Sequence, residues 1–141
     1  MARADFYLIA KPRFRAEPLR LVCELARKAH DAGIFTLILA RDAEQAEMLD
    51  DLLWDMGEDA YIPHQIAGAD IDEEESAVLI APPDIDAPLR PLVINLRDAA
   101  VEGSVERVLE VVPADESARG PLRERWKQYT ARGFEVNKHD M

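Results

Sequence analysis

The chain has a single cysteine, Cys23, six glycines among 141 residues, and no run of about 18 apolar residues. Each scarcity excludes something. One cysteine allows no internal disulfide and supplies no sulfur set for zinc, and with Leu21, Val22 and Leu25 as neighbours it reads as a small core residue. The glycines nowhere form GxGxxG or GxxxxGK[ST], so no loop brings backbone amides up to a phosphate in the usual way. The absence of a long apolar run excludes a membrane-spanning helix, and the start, MARADFYLIAKPRFR, has neither the apolar core nor the cleavage site of a signal peptide, so the expected location is the cytoplasm. The three histidines, His30, His64 and His139, are scattered, and none has a nucleophile at informative spacing; His64 reads as a residue that satisfies local hydrogen bonds.

What is present is acid. With 28 carboxylates against 17 lysines and arginines the formal charge is -11, which disfavours direct docking on a phosphate backbone and favours a protein partner. Hydrophobic residues make up 48% and charged ones 32%, the composition of a folded globular chain, and the length suits one domain over residues 1–141.

The hydrophobic pattern alternates between two periods. Asp5–Ala10 is a short apolar run that predicts a buried strand, and a basic loop, Lys11–Arg15, follows it. Glu17-Pro18 opens a helix whose apolar residues Leu19, Val22, Leu25, Ala26 and Ala29 recur at helical spacing until Gly33 closes it. Ile34–Ala40 is a continuous apolar run suited to a central parallel strand. Asp42 then caps a second helix, with Gln45 three residues on and Ala46, Leu49, Leu52, Leu53 and Met56 as its buried face before Gly57.

Tyr61–Pro63 reads as a brief strand, and residues 65–76 as a loop whose carboxylates Asp70, Asp72, Glu73, Glu74 and Glu75 lack the ligand spacing of a calcium loop. Ala77–Ala81, Leu92–Leu96 and Arg107–Pro113 are further strands, the first two joined by a proline-rich connection. The expected fold is a single α/β domain: a mostly parallel, mononucleotide-binding-like (Rossmann-like) sheet flanked by helices, ending in a basic helix.

That last helix runs against the charge of the rest. From Arg119 to Arg132 five cations, Arg119, Arg123, Arg125, Lys127 and Arg132, face one acid, Glu124. Arg123, Trp126 and Lys127 stand at i, i+3 and i+4 and share a face, beside an apolar stripe of Leu122, Trp126 and Tyr129. An aromatic between a guanidinium and an ammonium suits a peptide that ends in a hydrophobic residue: the terminal carboxylate meets the cations while the side chain lies along the ring. Composition alone also fits a solvated amphipathic helix. The start of the helix is open, because Pro121 is comfortable only in a first turn, and a start near Gly120 would leave Arg119 outside.

Residues in this segment resemble the C-terminal signature of the chi subunit family of bacterial DNA polymerase III holoenzyme: Val111, Val112, Pro113, Glu116, Ser117, Arg123, Glu124, Arg125, Trp126, Lys127, Tyr129, Gly133 and Phe134. Phe6-Tyr7-Leu8, Leu21-Val22-Cys23-Glu24, Leu49-Asp50 with Leu53-Trp54, and Ile62-Pro63-His64 with Ala67-Gly68 resemble the family in the same order, so the resemblance covers nearly the whole chain.

The resemblance implies an accessory subunit without a catalytic site or cofactor of its own. Such a subunit joins the clamp-loader assembly through the psi subunit and binds the acidic C-terminal tail of single-stranded DNA-binding protein, meeting DNA only indirectly. Carried over, it implies Arg123 for the tail's terminal carboxylate, Trp126 and Val112 for its terminal phenylalanine, Lys127 for acidic residues further back, Arg119 as a further member, and Tyr61 as the contact to psi. The family usually has tyrosine where this chain has Trp126, so the aromatic wall is kept and a phenolic hydrogen bond is not. Two other readings stand beside this one: a small nucleotide-binding α/β enzyme with Lys11 and Arg13 around a phosphate, marked by nucleotide-dependent thermal stabilisation, and direct single-strand binding through Trp126 and the cations.

Overall fold

The computed structural model describes residues 2–55, 62–68 and 76–141. In chain order the elements are β1 (Arg3–Leu8), α1 (Pro12–Ala16), α2 (Pro18–Asp31), β2 (Thr36–Leu39), α3 (Ala43–Trp54), β3 (His64–Ile66), β4 (Val78–Ala81), β5 (Leu92–Asn95), β6 (Arg107–Val112), a 3-10 turn (Glu116–Ala118), α4 (Arg119–Ala131) and β7 (Glu135–Asp140). The seven strands form one sheet in the order β3-β4-β2-β5-β6-β1-β7, and every neighbouring pair is parallel. The expected α/β class with a Rossmann-like sheet is therefore the observed one.

The apolar runs form strands because the sheet is covered on both faces, where every side chain of a central strand needs an apolar neighbour. In β4, Val78 and Ile80 point into a core with Ile38, Ile94, Leu109 and Val111 under α2 and α3. Leu79 and Ala81 point the other way, into a core with Leu37, Val93, Val108, Val112, Phe6 and Tyr129 under α4. Local signals set the helix ends: Asp42 Oδ1 accepts from Gln45 N–H at 2.7 Å while Gln45 Oε1 accepts from Arg41 N–H at 2.8 Å. Gly33 closes the second helix in a left-handed conformation at φ 74°, open to glycine without strain.

Four expectations change. The Lys11–Arg15 segment is not a loop; Pro12–Ala16 makes a helical turn because Phe14 is fully buried and draws the chain against the core beside α2. In α3 the buried face is Ala46, Leu49 and Leu53, while Leu52 is 38% exposed. The short strand begins at His64, after Pro63, whose missing N–H suits it to precede the ladder. Finally, β7 was not foreseen: its sequence, EVNKHD, has no apolar alternation, since it is an edge strand registered by its pairing with β1. Tyr61, Met56, Gly57 and the acidic segment Asp70–Glu75 lie outside the described residues.

Candidate functional site: a cationic aromatic helix

The last helix is reached through a tight lead. After β6, Asp115 Oδ1 accepts from Ser117 N–H at 3.1 Å and starts the 3-10 turn, and α4 follows directly from Arg119. Gly120 and Pro121 thus fall in the first turn, where an N–H has no partner within the helix, so the proline removes no hydrogen bond. Arg119 is inside the helix and one turn before Arg123. At the other end Phe134 N–H donates to Tyr129 O at 3.0 Å around Gly133, held at φ 83°, and the chain turns into β7.

Tertiary packing splits the five cations into two groups. Arg125 is 4% exposed, its Nε lies 3.0 Å from Glu110 Oε1, and its Nη1 donates to Asp98 O at 2.9 Å. Glu110 is fully buried and also accepts from Tyr129 O–H at 2.6 Å and from Asn95 Nδ2 at 2.9 and 3.1 Å. Burial pushes the Glu110 carboxyl above its ordinary value, against the pull of Arg125, Tyr129 and Asn95. Arg132 donates to Val101 O at 2.6 Å and Gly103 O at 2.8 Å and lies 4.7 Å from the Phe134 ring centre.

These two cations hold the helix down, and Arg119, Arg123 and Lys127 are left exposed on successive turns. Among the described residues Arg119 and Arg123 make no ion pair or side-chain hydrogen bond. Lys127 Nζ lies 3.9 Å from Glu124, a solvated pair of little strength.

Trp126 sits between the cations and the core. It is half-buried, its ring centre is 5.1 Å from that of Phe6, and it packs on the cluster that contains Val112, Leu8 and Leu122. Arg119, Arg123 and Lys127 therefore recur along one side of α4 with Trp126 beside them, while Val112, on β6 and only 3% exposed, lies in the cluster on which Trp126 packs. Sequence reading missed Glu110, Asn95 and the inward turn of Arg125. The signal was present in part: a glutamate inside the run VLEVV has to meet a cation or donors if that run is a buried strand.

Most of the remaining candidates already have partners within the chain. Arg13 lies 4.3 Å from the Phe14 ring centre and 3.6 Å from Glu24, while Lys11 is exposed and makes no ion pair or side-chain hydrogen bond among the described residues. At the carboxyl ends of the strands, where α/β sheets usually take ligands, Arg97 donates to Ala40 O at 2.9 Å and Ala81 O at 2.8 Å. Burial holds the Arg97 guanidinium below its ordinary value. The Cys23 thiol is pushed up to about 12 by burial, with Glu24 adding to it, which makes it an inert thiol. His64 Nδ1 makes the expected local hydrogen bond to Ile62 O at 2.6 Å, and its Nε2 lies 3.2 Å from Asp50 Oδ1. Among the described residues no group of three or more His, Cys, Asp or Glu is placed to hold a metal ion, and no helix is long and apolar enough to cross a membrane.

Fold and site together define a class, a parallel α/β domain that carries a cationic aromatic helix. Similarity to known proteins makes the class specific. Residues 1–137 match the family of the DNA polymerase III chi subunit, HolC, and the chain belongs to that family. It is 32% identical over 143 residues to DNA polymerase III subunit chi of Pseudomonas aeruginosa, covering 99% of this chain and 96% of that one. It is 30% identical over 120 residues to DNA polymerase III subunit chi of Escherichia coli K12, covering 84% and 82%.

Two solved structures share the fold alone. They are dbp5 of S. cerevisiae, at TM-score 0.63 and 17% identity over 97% of this chain, and a DEAD box protein of Methanococcus jannaschii, at TM-score 0.60 and 14% identity over 98%. The chain spans 41% of the length of each.

Proposed function

We propose that this chi-family chain is a non-catalytic adaptor of the replicative polymerase, working in the cytoplasm, whose α4 pocket receives the acidic C-terminal tail of single-stranded DNA-binding protein. Arg123 takes the terminal carboxylate, Trp126 and Val112 take the terminal phenylalanine, Lys127 meets acidic residues further back, and Arg119 extends the cationic rim. Tyr61 carries the contact to psi and so to the clamp-loader complex. The observation that carries the tail reading is the pair of exposed cations Arg119 and Arg123, without partners among the described residues, beside a half-buried indole on a chain of charge -11. Long-range repulsion would turn an acidic peptide away from most of such a surface, and this helix is where it can land.

Fluorescence anisotropy of a labelled acidic peptide ending in Pro-Phe tests this against wild type and Arg123→Ala, with a peptide lacking the terminal phenylalanine as control. Either loss costs about 2 kcal/mol, roughly thirtyfold in affinity. Indifference of the wild type to the peptide at low salt would return α4 to the status of a solvated face.

A further inference from the structure

The direction in which α4 presents Arg123 and Trp126 is set by side chains that no docked peptide would touch. The apolar stripe of the helix is narrow, with Tyr129 buried and Leu122 and Trp126 only partly so, and apolar burial is non-directional. A helix seated that way can roll about its own axis. Rolling by 20–30° moves a side chain at the helix surface by about 2 to 3 Å, more than a site tuned to about 0.5 Å tolerates.

Directional contacts oppose the roll. Arg125 immediately precedes Trp126; its Nη1 donates to Asp98 O at 2.9 Å and its Nε forms an ion pair with Glu110 on β6 at 3.0 Å. One turn later the Tyr129 hydroxyl donates to Glu110 at 2.6 Å and accepts from Val101 N–H at 2.8 Å, so the directional bonds are those to Asp98, Glu110 and Val101 made by Arg125 Nη1 and Tyr129. Glu110 is held from the sheet side by Asn95 Nδ2, which also donates to Ala99 O at 2.8 Å. The helix is thus pinned at two adjacent turns to one buried carboxylate and to the 98–101 segment.

A buried ion pair is a poor source of stability, because desolvating both ions offsets their attraction and apolar replacements are often neutral or better. We propose that Glu110 and Arg125, assisted by Tyr129, are positioning residues of the α4 pocket: they fix the roll of the helix so that Trp126 stays over Phe6 and Val112 with Arg123 beside it. The proposal rests on the peptide-pocket reading above and adds the device that orients it. Arg125, although one of the five cations in the sequence of this helix, offers nothing to the peptide directly.

The test uses the full chain in a Trp54→Phe background, which leaves Trp126 as the only indole of the two present. Against this parent stand Arg125→Met and the double variant Glu110→Leu with Arg125→Met. The double variant removes both charges, so it leaves no unpaired buried ion and keeps the chain folded where the single variant fails. Circular dichroism and the melting midpoint establish folding; acrylamide quenching of Trp126 without peptide, and anisotropy with the Pro-Phe peptide and its truncated control, report positioning.

The expected result is a folded double variant in which Trp126 quenching rises about twofold, and in which preference for the full over the truncated peptide falls at least tenfold. Those are changes that stability alone does not produce. A folded double variant with the parent's quenching and the parent's peptide preference overturns the proposal. If the parent itself shows no preference for the full peptide, the pocket reading has failed, and quenching of Trp126 alone then decides whether the pair orients the helix.

Discussion

Replacing Tyr129 with phenylalanine tests the buried network with a single oxygen. The ring is fully buried and stays in place, 5.2 Å from Phe134 and 6.1 Å from Phe6 between centres, so packing is unchanged and only the hydroxyl is lost. Two partners lose it: Glu110, whose hydrogen bond at 2.6 Å is to a carboxylate, and Val101 N–H, donating at 2.8 Å from a residue only 4% exposed. A hydrogen bond to a charged group contributes about 1.5 to 3 kcal/mol and an orphaned buried N–H costs about 1 to 3 kcal/mol. Glu110 keeps Arg125 and Asn95, which argues for the lower part of that sum, about 3 kcal/mol.

In a chain of this size that corresponds to a fall in melting midpoint of about 10 °C. Urea unfolding followed by far-ultraviolet circular dichroism measures it directly, with the midpoint shifted and the denaturant slope unchanged. A loss below about 1 kcal/mol would refute the reasoning, since it would mean that the hydroxyl is not shared between these two buried groups.

Three further outcomes follow from other sites. Asp5 is fully buried among Arg3, Arg107 and His139, each at 3.0 to 3.1 Å; burial alone would raise its carboxyl, but the bonds from His139, Arg3 and Arg107 outweigh it and hold the group below 3.8. A lowered native value means that the unfolded chain binds the proton first, so Asp5 stabilises the fold above 3.8 and that contribution disappears as pH falls through its lower native value. Asp5→Asn should therefore cost about 2 kcal/mol at neutral pH and progressively less below that point, as urea titrations across pH would show; a gap that stays constant into acid would sink the assignment. Cys23, with its thiol raised to about 12, should react with iodoacetamide at pH 8 on the order of a thousandfold more slowly in the native protein than in denaturant. Gly133→Ala places a Cβ at φ 83° with nothing within 4 Å of it, so only backbone strain applies and a loss of about 1 kcal/mol is expected in the same unfolding assay.

Much of this molecule is written locally. The runs at 34–40, 77–81 and 92–96 are apolar without alternation, which suits strands covered on both faces, and they became β2, β4 and β5. Pro18, the Asp42–Gln45 cap and Gly33 mark helix ends through contacts a few residues apart, and the cations at 119, 123 and 127 recur at the spacing of one helical face. Such features depend on neighbours within a turn or two, so a sequence displays them.

Tertiary structure alone decided the rest. The order of the strands, the placement of the polar segment EVNKHD as β7 beside β1, and the helical turn around Phe14 depend on what lies next to them in space. The same holds for charge. In the sequence Arg123 and Arg125 are two cations of the same helix; in the fold one is exposed and the other is buried against Glu110, 15 residues earlier in the chain. Which arginine stays in solvent and which one is buried is settled by the direction each side chain takes from the helix axis, and that direction has meaning only once the sheet lies beneath it.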